Sequence, residues 1–212
     1  MLIIAHRQNT YEELLLAKEL GLDAAEVDVR HCLFNNCNKL VLAHDPVYTR
    51  VEHENLVELR NVLQFGEWMD LHLEIKDEVL AKEILQMVSN LRHRDHIIYS
   101  SFKWLELLKI RFLNPRARIG LLWSGEREKI PKCLVALAGK STGAESIHLD
   151  FEMIRKNPSL VMYFRKKSFL VYSYTVNEID DIVLARNYSL DGIFTDRPMY
   201  AKEVLEKNAY SN

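Results

Sequence analysis

Short apolar runs alternate with longer stretches of helical spacing along the whole chain, eight times over, with no break in composition between units. That rhythm restricts the fold more than any other feature. Short apolar runs bounded by polar or turn residues suit buried strands, and apolar residues recurring every three or four positions suit helices laid over them. Strands are expected at 2–5, 24–29, 71–75, 96–99, 118–122, 146–149, 169–172 and 192–194. Helices are expected at 11–20, 55–65, 78–91, 103–112, 126–138, 151–164 with an interruption near Pro158, and 177–186, with a last one opening at Pro198. Thr10 is placed to cap the first helix and Gly21 to end it. Residues 39–43 form an extra extended piece, the return arm of a hairpin excursion. Repeated strand–helix units imply a parallel sheet, and eight of them in one chain imply closure into a (β/α)8 barrel of the TIM type.

At 212 residues, one α/β domain covering 1–212 is expected, a barrel near the small end of its range. A doubly wound open sheet is the alternative, but no Gly-x-Gly-x-x-Gly turn follows the first strand. The formal charge of −2 argues against a nucleic-acid partner, which needs a basic face. No apolar run approaches the roughly 20 residues that span a bilayer, so no stable membrane insertion is expected. The first five residues run straight into His6 and Arg7, too short for a signal core, which makes the cytoplasm the expected location. Cys32, Cys37 and Cys133 fit neither a disulfide framework nor a zinc ribbon. Oligomeric state leaves no mark in the sequence.

A barrel carries its chemistry at the C-terminal ends of its strands. His6 and Arg7 end the first strand, Glu26 and Asp28 lie near the end of the second, His44 and Asp45 follow the extended piece, and Glu74 and Lys76 end the next strand. Residues two apart on a strand share a face. Glu26 and Asp28 therefore point together, as do Glu74 and Lys76, with Ala25, Val27, Val29, Leu71, Leu73 and Ile75 turned toward the helices. Three carboxylates converging in one mouth repel unless a cation neutralises them, and an all-oxygen set suits Mg²⁺, Ca²⁺ or Mn²⁺. Arg7 and Lys76 offer positive charge to an anionic group, and two histidines offer an acid and a base near neutral pH. The set suits phosphoryl chemistry.

His6-Arg7, Glu26-Val27-Asp28, His44-Asp45 and Leu73-Glu74-Ile75-Lys76, followed by Tyr174-Thr175-Val176-Asn177 and the run from Asp191 to Pro198, resemble the motifs of the glycerophosphodiester phosphodiesterase family in their order. The resemblance spans nearly the whole chain. It implies that His6 and His44 are the general acid and base, that Glu26, Asp28 and Glu74 hold a divalent metal ion, and that Arg7, Lys76 and Tyr174 bind phosphate and substrate. It further implies cleavage of a small phosphodiester to a phosphomonoester, such as glycerol 3-phosphate, and an alcohol. The chain departs from the family pattern in three places. Gln8 stands where a Gly usually follows His-Arg, the interval between His44 and Glu74 is short, and Tyr174 replaces a Trp. The clipped interval implies a more open substrate pocket.

Plainer roles compete with these. His72 shares the inward face with Glu74 and is expected as a hydrogen-bonded core residue; His148 and Asp150 fit either a structural pair or a substrate contact. Asn9 suits either a phosphate contact or a helix cap, and Asp196 suits rim organisation. His31, His93 and His96 are expected on the surface or in loops, and 165–167 is a solvated basic cluster. His53-Glu54-Asn55 lacks the second His of a zinc-protease motif. Two other functions remain open: lyase-type cleavage that releases a cyclic phosphate, and a non-catalytic barrel that binds a phosphorylated ligand.

Overall fold

The computed structural model describes residues 1–33, 39–47, 56–125 and 129–207. Strand β1 (Leu2–Ala5) leads to α1 (Tyr11–Glu19) and β2 (Ala24–His31), and β3 (Leu40–Leu42) turns back antiparallel on the end of β2. A short α2 (Leu59–Val62) continues as a 3₁₀ turn (Leu63–Glu67) into β4 (Asp70–Ile75), α3 (Ala81–Ser89), β5 (Ile97–Ser101) and α4 (Trp104–Leu113). Then come β6 (Arg118–Trp123), α5 (Lys132–Thr142), β7 (Ser146–Asp150), α6 (Phe151–Lys156), α7 (Ser159–Arg165), β8 (Leu170–Tyr174), α8 (Ile179–Asn187), β9 (Gly192–Thr195) and α9 (Pro198–Lys207).

Apart from β3, every strand runs parallel to its neighbours, in the order β1-β2-β4-β5-β6-β7-β8-β9 and back to β1. Closure rests on β1, which pairs Leu2–Ala5 with residues 192–195 on one side and Ile4 and Ala5 with Ala24 and Ala25 on the other. The expected eight-fold barrel is therefore the observed one. Its outer layer is built from the outward residues of the strands, such as Val27, Leu73 and Ile119, against Leu14, Ile84, Leu107, Ile110 and Val135 of the helices. Each such fully buried aliphatic side chain contributes about 2 kcal/mol.

The interior is different. Ile4, Ala24, Tyr172 and Phe194 form a small apolar cluster inside the barrel, and the rings of His72 and His148 pack among them. A Cβ on Gly120 would stand 2.4 Å from the His148 ring, so a bare backbone is required there for the imidazole to occupy the barrel centre.

Element ends follow local chemistry. Thr10 forms a capping box with Glu13, and Gly143 closes α5 in the left-handed conformation. Asn157 and Pro158 split the 151–164 helical region into α6 and α7, as the proline implied. Three expectations shift. The helix expected at 55–65 narrows to α2 plus a 3₁₀ turn, because Val62 and Phe65 lie three apart and both are buried, the spacing of the tighter helix. The helix expected from 78 begins at Ala81, because Val79 takes a positive φ of 68°. Of the helix expected from 126, residues 126–128 lie outside the described residues, and α5 begins at Lys132, behind Pro131. Cys37 and the His53-Glu54-Asn55 stretch lie outside the described residues; Cys32 is buried and Cys133 is exposed. No helix among the described residues is long and apolar enough to cross a membrane.

Candidate active site

Strand register assembles the acidic cluster. Glu26 on β2 stands opposite His72 on β4, and Asp28 stands opposite Glu74, so period-two alternation directs all four side chains inward. Glu26, Asp28 and Glu74 each offer an oxygen within 4.8 Å of the others, and all three residues are buried. Such proximity is costly. Burial, then Asp28 and Glu74, holds the Glu26 carboxyl well above the usual carboxylate range. Burial also raises Glu74, against the pull of Lys76. Burial alone would raise Asp28 too, but Lys76 and Asn9 outweigh it and its acidity increases. Lys76 Nζ donates to Glu74 Oε1 at 2.8 Å and lies 3.1 Å from Asp28 Oδ1, which offsets part of the charge.

Glu26 exposes only 2% of its surface, and its Oε1 has no hydrogen-bond partner among the described residues. Its Oε2 accepts the Arg7 backbone N–H at 2.8 Å, a contact that Arg7 makes with a left-handed φ of 53°. An orphaned buried carboxylate oxygen beside two further carboxylates suits a hard divalent cation. The residues present thus fit the metal that the sequence implied.

Both histidines flank this cluster in the same way. His6 Nδ1–H donates to Asp196 Oδ1 at 2.8 Å, which leaves Nε2 facing Glu26 Oε2 at 4.0 Å. His44 Nδ1–H donates to Asp45 Oδ1 at 2.9 Å, and its Nε2 lone pair accepts from Arg7 Nη2 at 2.8 Å. In each ring a carboxylate fixes the tautomer and turns Nε2 toward the mouth. Burial lowers the His6 pKa although Asp196 works against it, so the neutral ring is favoured. Asp196 is held in turn by Asn177, whose amide donates to Oδ2 at 2.7 Å and whose Oδ1 accepts from the Asp196 N–H and from Thr195 Oγ1.

The mouth encloses a cavity of about 160 Å³, lined by His6, Arg7, His44, Glu74, Lys76 and Tyr174 among others. All eight candidate residues from the sequence therefore gather at one end of the barrel. Tyr174 presents its ring to the cavity and to Phe102, while its hydroxyl donates to the Trp123 carbonyl at 3.1 Å. Some expectations change here. Asn9 neither caps the helix nor faces the cavity centre; it clasps Asp28, donating to Oδ2 at 2.8 Å and accepting the Asp28 N–H at 2.9 Å. Asp150 caps α6 by accepting from the Glu152 N–H, and His148 bonds Ser146 Oγ through Nε2. His72 is in the core as expected, but its Nδ1 has no hydrogen-bond partner among the described residues. His96 is exposed and pairs with Asp70, whereas His93 is half-buried and bonds the Leu63 carbonyl. Sequence reasoning undervalued Asp196, and Asp45 was noted only as a companion of His44. The one available signal was that each carboxylate lies at a strand end or beside a histidine.

A closed barrel whose mouth joins carboxylates, cations and imidazoles defines a phosphoric diester hydrolase of the barrel type. Residues 51–199 match the model of the Glycerophosphoryl diester phosphodiesterase family, and the chain belongs to that family. It is 24% identical over 240 residues to a glycerophosphodiester phosphodiesterase of Caldanaerobacter subterraneus subsp. tengcongensis, covering 93% of this chain and 94% of that one. Its fold matches that of a glycerophosphodiester phosphodiesterase from Parabacteroides distasonis, with a TM-score of 0.82, 20% identity and 98% of each chain covered. It also matches an Oleispira antarctica phosphodiesterase solved in complex with the product sn-glycerol-3-phosphate, with a TM-score of 0.79, 20% identity and 97% of each chain covered.

Proposed function

We propose that this protein hydrolyses a glycerophosphodiester or a related small phosphodiester to a phosphomonoester, such as glycerol 3-phosphate, and an alcohol. Glu26, Asp28 and Glu74 would hold the divalent ion, Mg²⁺, Ca²⁺ or Mn²⁺. When bound, it supplies Lewis-acid polarisation of the phosphoryl oxygens. Arg7 and Lys76 hold the remaining phosphate charge, and Tyr174 borders the substrate. One of His6 and His44 takes the proton of the attacking water at Nε2. The other, entering the reaction as the imidazolium, gives its Nε2 proton to the alkoxide as the P–O ester bond breaks. Asp196 and Asp45 keep the two rings oriented throughout.

The observation that carries this reading is the pairing of an unsatisfied Glu26 oxygen inside a three-carboxylate cluster with two imidazoles whose Nδ1 atoms are already engaged. The Oleispira relative, with glycerol 3-phosphate as product, supports the substrate class. Phosphorus NMR on glycerophosphocholine provides the test. With Mg²⁺ or Ca²⁺ present, a glycerol 3-phosphate signal should grow, and chelation with EDTA should cut the rate at least 100-fold, within the range of metal and electrostatic contributions. A cyclic phosphate signal would redirect the mechanism to attack by a substrate hydroxyl. Equal and negligible turnover with and without metal, across a panel of diesters, would leave only a ligand-binding barrel. The single-domain organisation over residues 1–212 is part of the same proposal; one cooperative unfolding transition is its expected signature.

A further inference from the structure

On the flank of the barrel, away from the catalytic mouth, a groove between α3 and α4 joins two dissimilar cavities. The upper one, about 550 Å³, is lined by Val79, Leu105, Leu108, Phe112 and Leu113. The lower one, about 560 Å³, is lined by Lys82, Arg94, Arg116 and Tyr99 with Leu85 and Val88. Lys82 and Leu113 belong to both, so the two are continuous. Each falls within the size range of a ligand pocket, roughly 300–1,000 Å³.

The upper part is unusually apolar for a surface. Val79 is 77% exposed, Leu105 73% and Phe112 85%. Leu105, Leu108 and Phe112 recur at helical spacing, so they form one stripe down the outer side of α4. From Leu105 to Leu113 the trough is about 12 Å long at the rise of an α-helix. Its upper end is built rather than incidental. Val79 holds a φ of 68°, a costly conformation for a β-branched residue. The buried Glu106 carboxylate pins the loop that carries it, accepting from the backbone N–H of Val79 and of Ala81, while Lys109 neutralises the charge.

The lower part is basic. Among the described residues, Lys82, Arg94 and Arg116 have no carboxylate partner, whereas Arg118 is engaged by Asp70 and Glu145; one acid, Asp95, also borders the cavity. Tyr99 exposes only 2% of its surface, borders this cavity from β5, and has no hydrogen-bond partner for its hydroxyl among the described residues. The hydroxyl is not among the buried side-chain atoms left without a partner, so it opens onto the cavity. Burial raises its pKa, so the group remains a donor.

We infer that this groove binds a single-chain anionic amphiphile, with the charged head between Lys82, Arg94, Arg116 and the Tyr99 hydroxyl and the alkyl chain along Leu105, Leu108 and Phe112. An apolar trough alone would suit a second copy of the chain equally well. The adjoining cluster of unpaired cations and the waiting donor select a ligand that is charged at one end. The site lies outside the catalytic cavity, with which it shares no lining residue.

Laurate is a suitable probe because its carboxylate is neither substrate nor product of a phosphodiesterase. Calorimetric titration below its micelle threshold should show one laurate per chain, with butyrate and dodecanol each binding at least tenfold more weakly. Phe112→Asp, and separately Lys82→Glu with Arg116→Glu, should each weaken laurate at least tenfold. Tyr99→Phe should weaken it several-fold, and turnover of the diester should not change in the exposed-residue variants. Circular dichroism checks that each variant folds. Absence of saturable laurate binding overturns the inference, as does binding that the groove variants leave intact. So does dodecanol binding as tightly as laurate, which would remove the charged end from the argument. A wild-type dimer that Phe112→Asp converts to a monomer, without laurate binding, would assign the trough to self-association instead.

Discussion

Two pairs of histidines lie within one barrel, and they are treated in opposite ways. His6 and His44 stand at the rim, each with Nδ1 on a carboxylate and Nε2 turned to the mouth. His72 and His148 lie below, fully buried against Tyr172 and Phe194, with both Nδ1 atoms lacking a partner among the described residues. Burial pushes the His148 pKa down to about 3 and the His72 pKa well below its ordinary value. The same side chain thus turns Nε2 to the mouth where a carboxylate holds its Nδ1, and is kept neutral among aromatic rings where burial dominates.

The contrast breaks most sharply on removal of a rim imidazole. His44→Ala should lower turnover about 1,000-fold, within the usual range for an acid–base group, with an unchanged unfolding midpoint. A near-normal rate would place His44 with the packing pair. The interior pair should show itself in acid instead. Each depressed pKa means that the unfolded chain takes up a proton near pH 6.5 that the folded chain refuses until far lower pH. Stability is therefore complete above about pH 6.5 and falls as pH drops from there toward 3. For His148 alone the loss at pH 5 is ~2 kcal/mol. Urea midpoints measured across that window should flatten by one proton in His148→Asn; an unchanged slope would mean that the ring ionises freely. The smallest expected effect concerns orientation. Asp196→Asn should reduce kcat about tenfold and shift the limb of the pH–rate profile assigned to His6 to lower pH, because the carboxylate raises that pKa. A profile that does not move would reduce Asp196 to a structural contact.

The sequence reveals the barrel because buried parallel strands read as apolar runs, and it reveals Glu26, Asp28 and Glu74 because period-two alternation marks their shared face. Both signals are local. What stayed hidden depends on partners distant along the chain. Asp196 reaches His6 across 190 positions. Asn9 takes Asp28 across 19 positions, where its neighbour Thr10 does the capping. The left-handed turn at Val79 was illegible for another reason: a buried Glu106 stabilises a conformation that valine propensity opposes. The missing bond of His72 likewise depends on which rings surround it, and only packing decides that.

Because β1 is stitched to β9, the first and last strands of the barrel meet at the working end of the molecule. During synthesis, His6 emerges with the first strand but must wait for Asp196 before its ring is aligned. Until that last strand docks, the sheet keeps two open edges able to pair with other chains. The site should therefore be complete only once the barrel has left the ribosome through Asp196.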